Sequence, residues 1–238
     1  MTSIEIRSAA TTSIEIGSAA TGSTGSRGSQ PATDLLVPPT TIELDLAEKY
    51  ERRTSLFHGW REQLVERLAP RPGDTVLDIS CGSGLNLPAL RERVGPYGRI
   101  IGIEESPELL AVARHRVRRR GWHNVELLAA PPTSTELVAG AHAALLCAAD
   151  DVLQSPTRLA YLMSRLRPGA RVAAGGWKLP PEWMWPLRAY VKAFYGPLAG
   201  ATARLDEPWR PLADHSPDLT VARLGFGTGY LAHGTIRH

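Results

Sequence analysis

The stretch Val76–Gly84, VLDISCGSG, constrains this chain more than any other part of it. It reads as a buried strand that runs through an acid into a glycine-rich turn, followed by an amphipathic segment, Leu85 to Val94. Twenty-six residues after Asp78, the pair Glu104-Glu105 closes a second apolar strand, RIIGIEES, Arg99 to Ser106. A strand, a glycine turn, a helix and a strand ending in an acid make the half-unit that binds a nucleoside in parallel α/β folds. Gly82 and Gly84 let the backbone pass where a Cβ would clash. An acid at the end of the second strand can accept both hydroxyls of a ribose.

The glycine pattern does not fit the dinucleotide fingerprint. That motif needs a third glycine three residues after Gly84, where the chain has Leu87. The first strand carries an acid, Asp78, ahead of the turn, and an acid there repels a pyrophosphate but suits an ammonium group. On these residues the chain resembles the class I S-adenosylmethionine-dependent methyltransferases, whose first motif is an acid followed by a run such as GxGxG. The resemblance extends over about Leu46 to Ile236 and is sharpest between Gly73 and Val125. It implies Asp78, Ser80, Cys81, Gly82, Gly84 and Glu104 as cofactor-binding residues, with Ala130 on the adenine side and Tyr50 in a covering helix. Ser80 stands where the family's run has its first glycine. Its small side chain suggests a tolerated exchange, with a turn that keeps φ negative there. Many relatives have an acid near Ala130; here the backbone around Ala129 and Ala130 would meet the adenine amino group.

Apolar periodicity alternates along the rest of the chain. Strands are expected near 74–80, 99–105, 124–129, 142–148, 170–176, 219–225 and 228–236, and helices near 84–94, 107–120, 156–166 and 183–195. Ser106-Pro107 and Ser155-Pro156 are helix starts with a serine cap and proline in the first turn. The alternation predicts a doubly wound, mostly parallel seven-stranded sheet with helices on both faces. The last two apolar runs are almost contiguous and predict a C-terminal antiparallel hairpin. A helix ahead of the first strand is marked by Phe57, Trp60, Leu64 and Leu68 and ended by Pro70. In the resembled family such a helix covers the cofactor, which makes Tyr50, Arg53, His58 and Trp60 its lining candidates.

Residues 1–40 read differently. TSIEIRSAAT is followed directly by TSIEIGSAAT, a tandem ten-residue repeat, and then by a Gly/Ser/Thr run. Such a composition buries too little apolar surface to offset ordering entropy. The expected division is a disordered tail over 1–40 and a methyltransferase domain over 41–238.

Composition excludes several classes. No apolar run reaches the roughly 18 residues of a membrane span, and the start of the chain lacks a basic region followed by an apolar core. The cytoplasm is the expected compartment. Cys81 and Cys147 form neither a disulfide framework nor a metal-spaced cluster, so no metal is expected. Of 27 basic residues three are lysine, an arginine bias of a GC-rich genome more than of a nucleic-acid binder. No Asn/Asp-Pro-Pro-aromatic motif follows the fourth strand, so nucleic acid is not the expected substrate.

The acceptor side is less legible. Asp150 and Asp151 follow the fourth strand as paired carboxylates that could hold a cationic amine, act as a general base or start a helix. Asp151 and His58 are the candidates for a base. The segment GGWKLPPEWMWPLRAYVKAFYGP, Gly175–Pro197, offers Trp177, Trp183, Trp185, Tyr190, Phe194 and Tyr195 as an aromatic pocket wall, with Lys178 beside it. Trp60, Asp150, Trp177 and Lys178 are the substrate-side candidates, and a lid built from Trp60 and Trp177 is expected, with Trp209 in a neutral loop. The motifs WREQL and GWHNV look like bacterial methyltransferases acting on quinones or phosphatidylethanolamine. The reading is therefore methyl transfer from S-adenosylmethionine to a small molecule or lipid headgroup. Open alternatives are a natural-product O- or C-methyltransferase, or a methyltransferase-fold protein that binds the cofactor without methyl transfer, as a cyclase or a binding protein. Peripheral membrane contact fits the aromatic segment, and the oligomeric state is not legible.

Overall fold

The computed structural model describes residues 58–133, 138–199 and 205–237, with side chains of His58 and of residues 194–199 outside the description. The expected tail over 1–40, Tyr50 and Arg53 also lie outside the described residues. Seven strands form one sheet: β1 Thr75–Ile79, β2 Arg99–Glu104, β3 Val125–Ala129, β4 Ala141–Cys147, β5 Leu166–Trp177, β6 Thr220–Leu224 and β7 Gly229–Thr235. Their order is β3-β2-β1-β4-β5-β7-β6. The first five run parallel, while β7 is antiparallel to both β5 and β6. This is the expected doubly wound sheet with its terminal hairpin.

Helices cover both faces. On one face lie α1 His58–Leu68, α2 Leu87–Val94 and α3 Pro107–Arg119; their buried side chains Leu64, Leu68, Leu87 and Leu90 pack on Val76, Ala143 and Leu145. On the other lie α4 Asp150–Leu153, α5 Pro156–Arg165 and α7 Arg210–Ala213, whose Leu159, Leu162 and Leu212 pack on Leu77, Ile79 and Leu146. Strand side chains alternate between faces, so Asp78 joins Val76 on the α1/α2 face. Glu104 falls on that face too, because β1 and β2 pair Asp78 with Gly102. Glu105 points the other way. The serine caps form as expected: Ser106 Oγ accepts from Leu109 N at 3.3 Å and Ser155 Oγ from Arg158 N at 3.4 Å.

Three local features differ from the sequence expectation. β5 begins at Leu166, ahead of Pro168-Gly169, because its register against β4 jumps from Ala141↔Leu166 to Ala143↔Arg171 and the intervening residues bulge out. The aromatic helix begins as a 3-10 turn, Glu182–Met184, and continues as α6, Trp185–Ala199. Ser80 adopts φ +54°, in the left-handed region, where negative φ was expected. The turn demands this geometry whatever residue fills it, so Ser80 carries the backbone cost that a glycine would avoid. Ser80→Gly is expected to raise the urea midpoint by the equivalent of up to about 1 kcal/mol, since relief of left-handed strain exceeds the extra unfolded-state entropy.

Candidate cofactor and acceptor site

β1 and β4 lie side by side, yet their onward connections run to opposite faces, and the crevice between them opens at their carboxyl ends. Both strands leave the sheet through a left-handed non-glycine residue, Ser80 after β1 and Ala148 after β4, each close to φ +55°. The turn Cys81–Gly84 is closely packed. A Cβ on Gly84 would stand 2.7 Å from Leu87 Cδ1 and 3.3 Å from Ala113 Cβ, and φ there is +78°. Gly84 is therefore needed for the approach of α2 and α3, in addition to any ligand. Cys81 Sγ occupies the space over Gly102, and burial raises its thiol pKa well above the usual value. Cys147 is likewise pushed up, to about 11, so both thiols stay protonated and inert near neutral pH.

Asp78 is fully buried, although it is a carboxylate. Its Oδ1 accepts a hydrogen bond from Asn86 Nδ2 at 3.1 Å, and its Oδ2 has no partner. Burial pushes its pKa up to about 7 against the opposing pull of Asn86 and the Arg61 guanidinium. Asn86 stands at the start of α2 without using its side chain as a cap; it turns that side chain to Asp78 instead. Arg61, from α1, is almost fully buried beside Asp78 and Cys147. The sequence reading missed Arg61 and Asn86. The signal for Asn86 was a capping residue eight positions after Asp78; Arg61 lay inside WREQL in plain view.

Glu104 spans the glycine turn. Its Oε2 accepts from Gly82 N at 2.8 Å and its Oε1 from Ser106 N at 2.9 Å. One carboxylate thus fixes the turn after β1 relative to the turn after β2, and each oxygen keeps a second lone pair for another donor. Ala130, 7% exposed, follows β3 next to this point, since Glu104 pairs with Ala129 across the strands. Asp78, Asn86, Glu104 and the glycine turn thus gather on one face at one end of the sheet. An unpartnered buried carboxylate oxygen beside a second carboxylate suits a ligand with an ammonium end and a diol, the two ends of S-adenosylmethionine.

The acceptor candidates do not all gather. Consecutive residues at a helix start point about 100° apart, and this splits the expected carboxylate pair. Asp151 is exposed and bound by Arg158 Nη1 at 2.6 Å, which also reaches Glu105 at 3.1 Å. Asp150 is buried, with its charge close to the Tyr230 hydroxyl. Asp151 is therefore a surface ion-pair residue and not one of two acids sharing a proton. Lys178 donates to the Leu179 and Gly227 carbonyls at 2.6 and 3.4 Å, clipping the β6–β7 turn to the end of β5; burial lowers its pKa.

Trp60 and Trp177 do meet, edge to face with centroids 6.0 Å apart. Trp60 also lies directly on Gly229 and Gly225, where a Cβ would stand 2.4 and 3.0 Å from its ring. The two tryptophans cover the β5–β7 side of the carboxyl ends. Trp183, Trp185 and Tyr190 are exposed and do not line a pocket, because α6 turns Val191 inward against Leu179 and Leu205. Trp209 is no neutral loop residue: its ring lies 5.1 Å from that of the fully buried Tyr230. Trp60→Ala is expected to cost about 3 kcal/mol in urea denaturation, against less than about 0.5 kcal/mol for the exposed Trp183→Ala.

The motif GWHNV proves to be scaffolding. Asn124 donates to the carbonyls of Gly95 and Gly98 at 3.0 and 2.8 Å and accepts from Arg91 at 3.1 Å, while Arg91 and Arg120 lie over the Trp122 ring.

Comparison with known proteins agrees with this fold. A family model described as "Methyltransferase domain" matches residues 76–169. The match covers about two fifths of the chain, and over it the chain resembles a methyltransferase domain. The chain is 33% identical over 89 residues to a demethylmenaquinone methyltransferase of Geobacillus stearothermophilus, covering 35% of this chain and 38% of that one. Over 124 residues it is 36% identical to a 2-phytyl-1,4-naphtoquinone methyltransferase of Synechococcus elongatus, covering 50% and 52%. The chain thus spans between about a third and about half the length of these curated relatives. Among solved structures, a methyltransferase from Aquifex aeolicus superposes with a TM-score of 0.58 at 20% identity, over 81% of this chain and 97% of that one. At that identity the likeness concerns the fold.

Proposed function

We propose that residues 41–238 form an enzyme that moves a methyl group from S-adenosylmethionine to a small aromatic acceptor of the reduced-quinone type, in the cytoplasm, with residues 1–40 as an appended tail. The observation that carries this reading is the fully buried Asp78 with its unpartnered oxygen, set on the same face as Glu104 around the glycine turn. Asp78 would hold the ammonium end and Glu104 the ribose hydroxyls, with Cys81, Gly82, Gly84 and Ser80 forming the turn against the ligand and Ala130 the adenine side. The bound cofactor supplies a methyl group already activated on a sulfonium. The protein's contribution is alignment and exclusion of water. Trp60 and Trp177 would close the acceptor side, with Tyr50 and His58 preceding them along the chain. The acceptor's nucleophilic atom would be held in line with that methyl group, and a phenolic or ring acceptor would give up its proton to a nearby carboxylate or to solvent. With Asp151 held by Arg158, Asp150 is the better placed of the two acids to face an acceptor.

The quinone-type acceptor is supported by the names of the two relatives above. The lipid-headgroup alternative shares the apolar body but needs an amine in place of a phenolic ring. The test is isothermal titration with S-adenosylmethionine and S-adenosylhomocysteine, followed by transfer of labelled methyl to a reduced 2-alkyl-naphthoquinone, simple phenols, amines and phosphatidylethanolamine. Cofactor binding with label on the naphthoquinone ring is expected. Binding without transfer to any acceptor would leave a cofactor-binding protein, and no binding would end the reading.

A further inference from the structure

Four of the five exposed large apolar side chains among the described residues lie on two neighbouring segments. Trp183, Trp185 and Tyr190 are 78%, 72% and 63% exposed on the 3-10 turn and α6, and Phe226 is 88% exposed at the tip of the β6–β7 turn. The segments touch: a Cβ on Gly227 would stand 3.2 Å from Pro181 Cδ, and Lys178 bridges from the end of β5 to the Gly227 carbonyl. Pairing of Trp177 with Gly229 puts the β6–β7 turn at the carboxyl end of β5, the end at which the crevice opens. The patch is held rigidly. Val191 anchors the inner side of α6 against Leu179 and Leu205, and Arg188 is fixed by Asp206 at 2.8 Å and by the Pro180 carbonyl at 2.9 Å. Phe226 is presented outward at φ +55°, a conformation that costs energy and leaves its ring exposed. None of these residues falls within the segment matched by the family model.

We propose that this aromatic patch is a docking surface for an anionic lipid bilayer, seating the crevice mouth against the membrane. Tryptophan, tyrosine and phenylalanine presented together at one end match the headgroup–acyl boundary, where aromatic rings partition best. The exposed charge around them, Lys192 and Arg223 against Glu182, is net positive, which favours anionic lipid. Two exposed cations, Lys192 on α6 and Arg223 on β6, flank the rings and form no ion pair among the described residues, and α6 carries no acid at all. Glu182 is the acid closest in sequence to the rings, while Asp206 is engaged by Arg188. Exposed apolar clusters of this kind are uncommon on a surface that meets only water. The inference does not depend on which acceptor is methylated, or on methyl transfer at all.

The test is vesicle flotation of the full chain, without cofactor or acceptor, using phosphatidylcholine vesicles with and without about a third of phosphatidylglycerol. The expected result is binding that the anionic lipid strengthens, with blue-shifted tryptophan emission. Combined Trp183→Ala, Trp185→Ala and Phe226→Ala should lower partition by about tenfold or more. Lys192→Gln with Arg223→Gln should remove the phosphatidylglycerol dependence. Tyr97→Ala is the control: Tyr97 is equally exposed but precedes β2, at the opposite end of the sheet, and its loss should change nothing. Circular dichroism and S-adenosylmethionine titration of each variant separate loss of docking from loss of fold or of the cofactor site. Absence of vesicle binding by the unaltered chain overturns the proposal. So does an equal effect of Tyr97→Ala, or a concentration-dependent dimer that the triple variant abolishes, which would make the patch a contact between copies.

Discussion

Glu104→Ala is expected to weaken S-adenosylmethionine binding at least about a hundredfold, because hydrogen bonds to a charged group contribute about 1.5–3 kcal/mol each and two ribose hydroxyls would be lost. The carboxylate also fixes Gly82 and Ser106, so the variant loses order in the turn as well as contacts to the ligand. Glu104→Gln keeps an acceptor and should fall between. Glu105→Ala is the matched control: its carboxylate lies on the opposite face in an exposed ion pair with Arg158, which contributes under about 1 kcal/mol. Calorimetric titration at one pH, with melting temperature measured alongside, reads all three. Equal affinity in the Glu104 and Glu105 variants would remove Glu104 from the site.

The second large effect concerns Asp78 and pH. Its pKa is raised from 3.8 to about 7 by burial. The folded, unliganded protein therefore binds a proton more tightly at this position than the unfolded chain does. That contribution to stability is fully present below about pH 4 and is lost as pH rises through 7, at about 1.4 kcal/mol per unit across the window. Asp78→Asn should flatten this slope, which urea midpoints at pH 5, 6, 7 and 8 can measure. Cofactor affinity should move oppositely. An ammonium group at Oδ2 favours the carboxylate, so binding below pH 7 expels the Asp78 proton and weakens by up to tenfold per unit of acidification. Titration in buffers of different ionisation enthalpy would detect the released proton. An affinity independent of pH between 5.5 and 8 would mean that Asp78 does not meet the ammonium group.

The donor half was legible because its constraints are local. Val76 to Gly84 and the serine caps are close in sequence to what they contact, and Glu104, which reaches Ser106 two residues on and Gly82 twenty-two residues back, is marked by its place at the end of a strand; the strands came out within a few residues. The failures share a different origin. Asp78 was read from its motif, but its partners Asn86 and Arg61 are chosen by packing of two helices over β1. Ser80 looked conformationally ordinary because a residue name does not reveal that the turn needs positive φ. Asp150 and Asp151 look paired on paper, and a helical turn separates them. The aromatic segment reads the same whether its rings face a pocket or water; only the inward anchor at Val191 decides that. Trp209 looked like loop and packs on Tyr230, a contact made across 21 residues of chain.

The bulge at Pro168-Gly169 has a consequence for how such chains diversify. The family match ends at Gly169, within the stretch where β5 changes register against β4. A register break is a joint at which two pieces of sheet need not share a hydrogen-bonding phase. Residues before it contain the glycine turn, Asp78 and Glu104; residues after it contain Trp177, α6 and the hairpin. Change on the far side of that break leaves β1, β2 and β4 in the register that aligns the glycine turn, Asp78 and Glu104, and Trp60 and Asp150, which lie ahead of it, stay with that part.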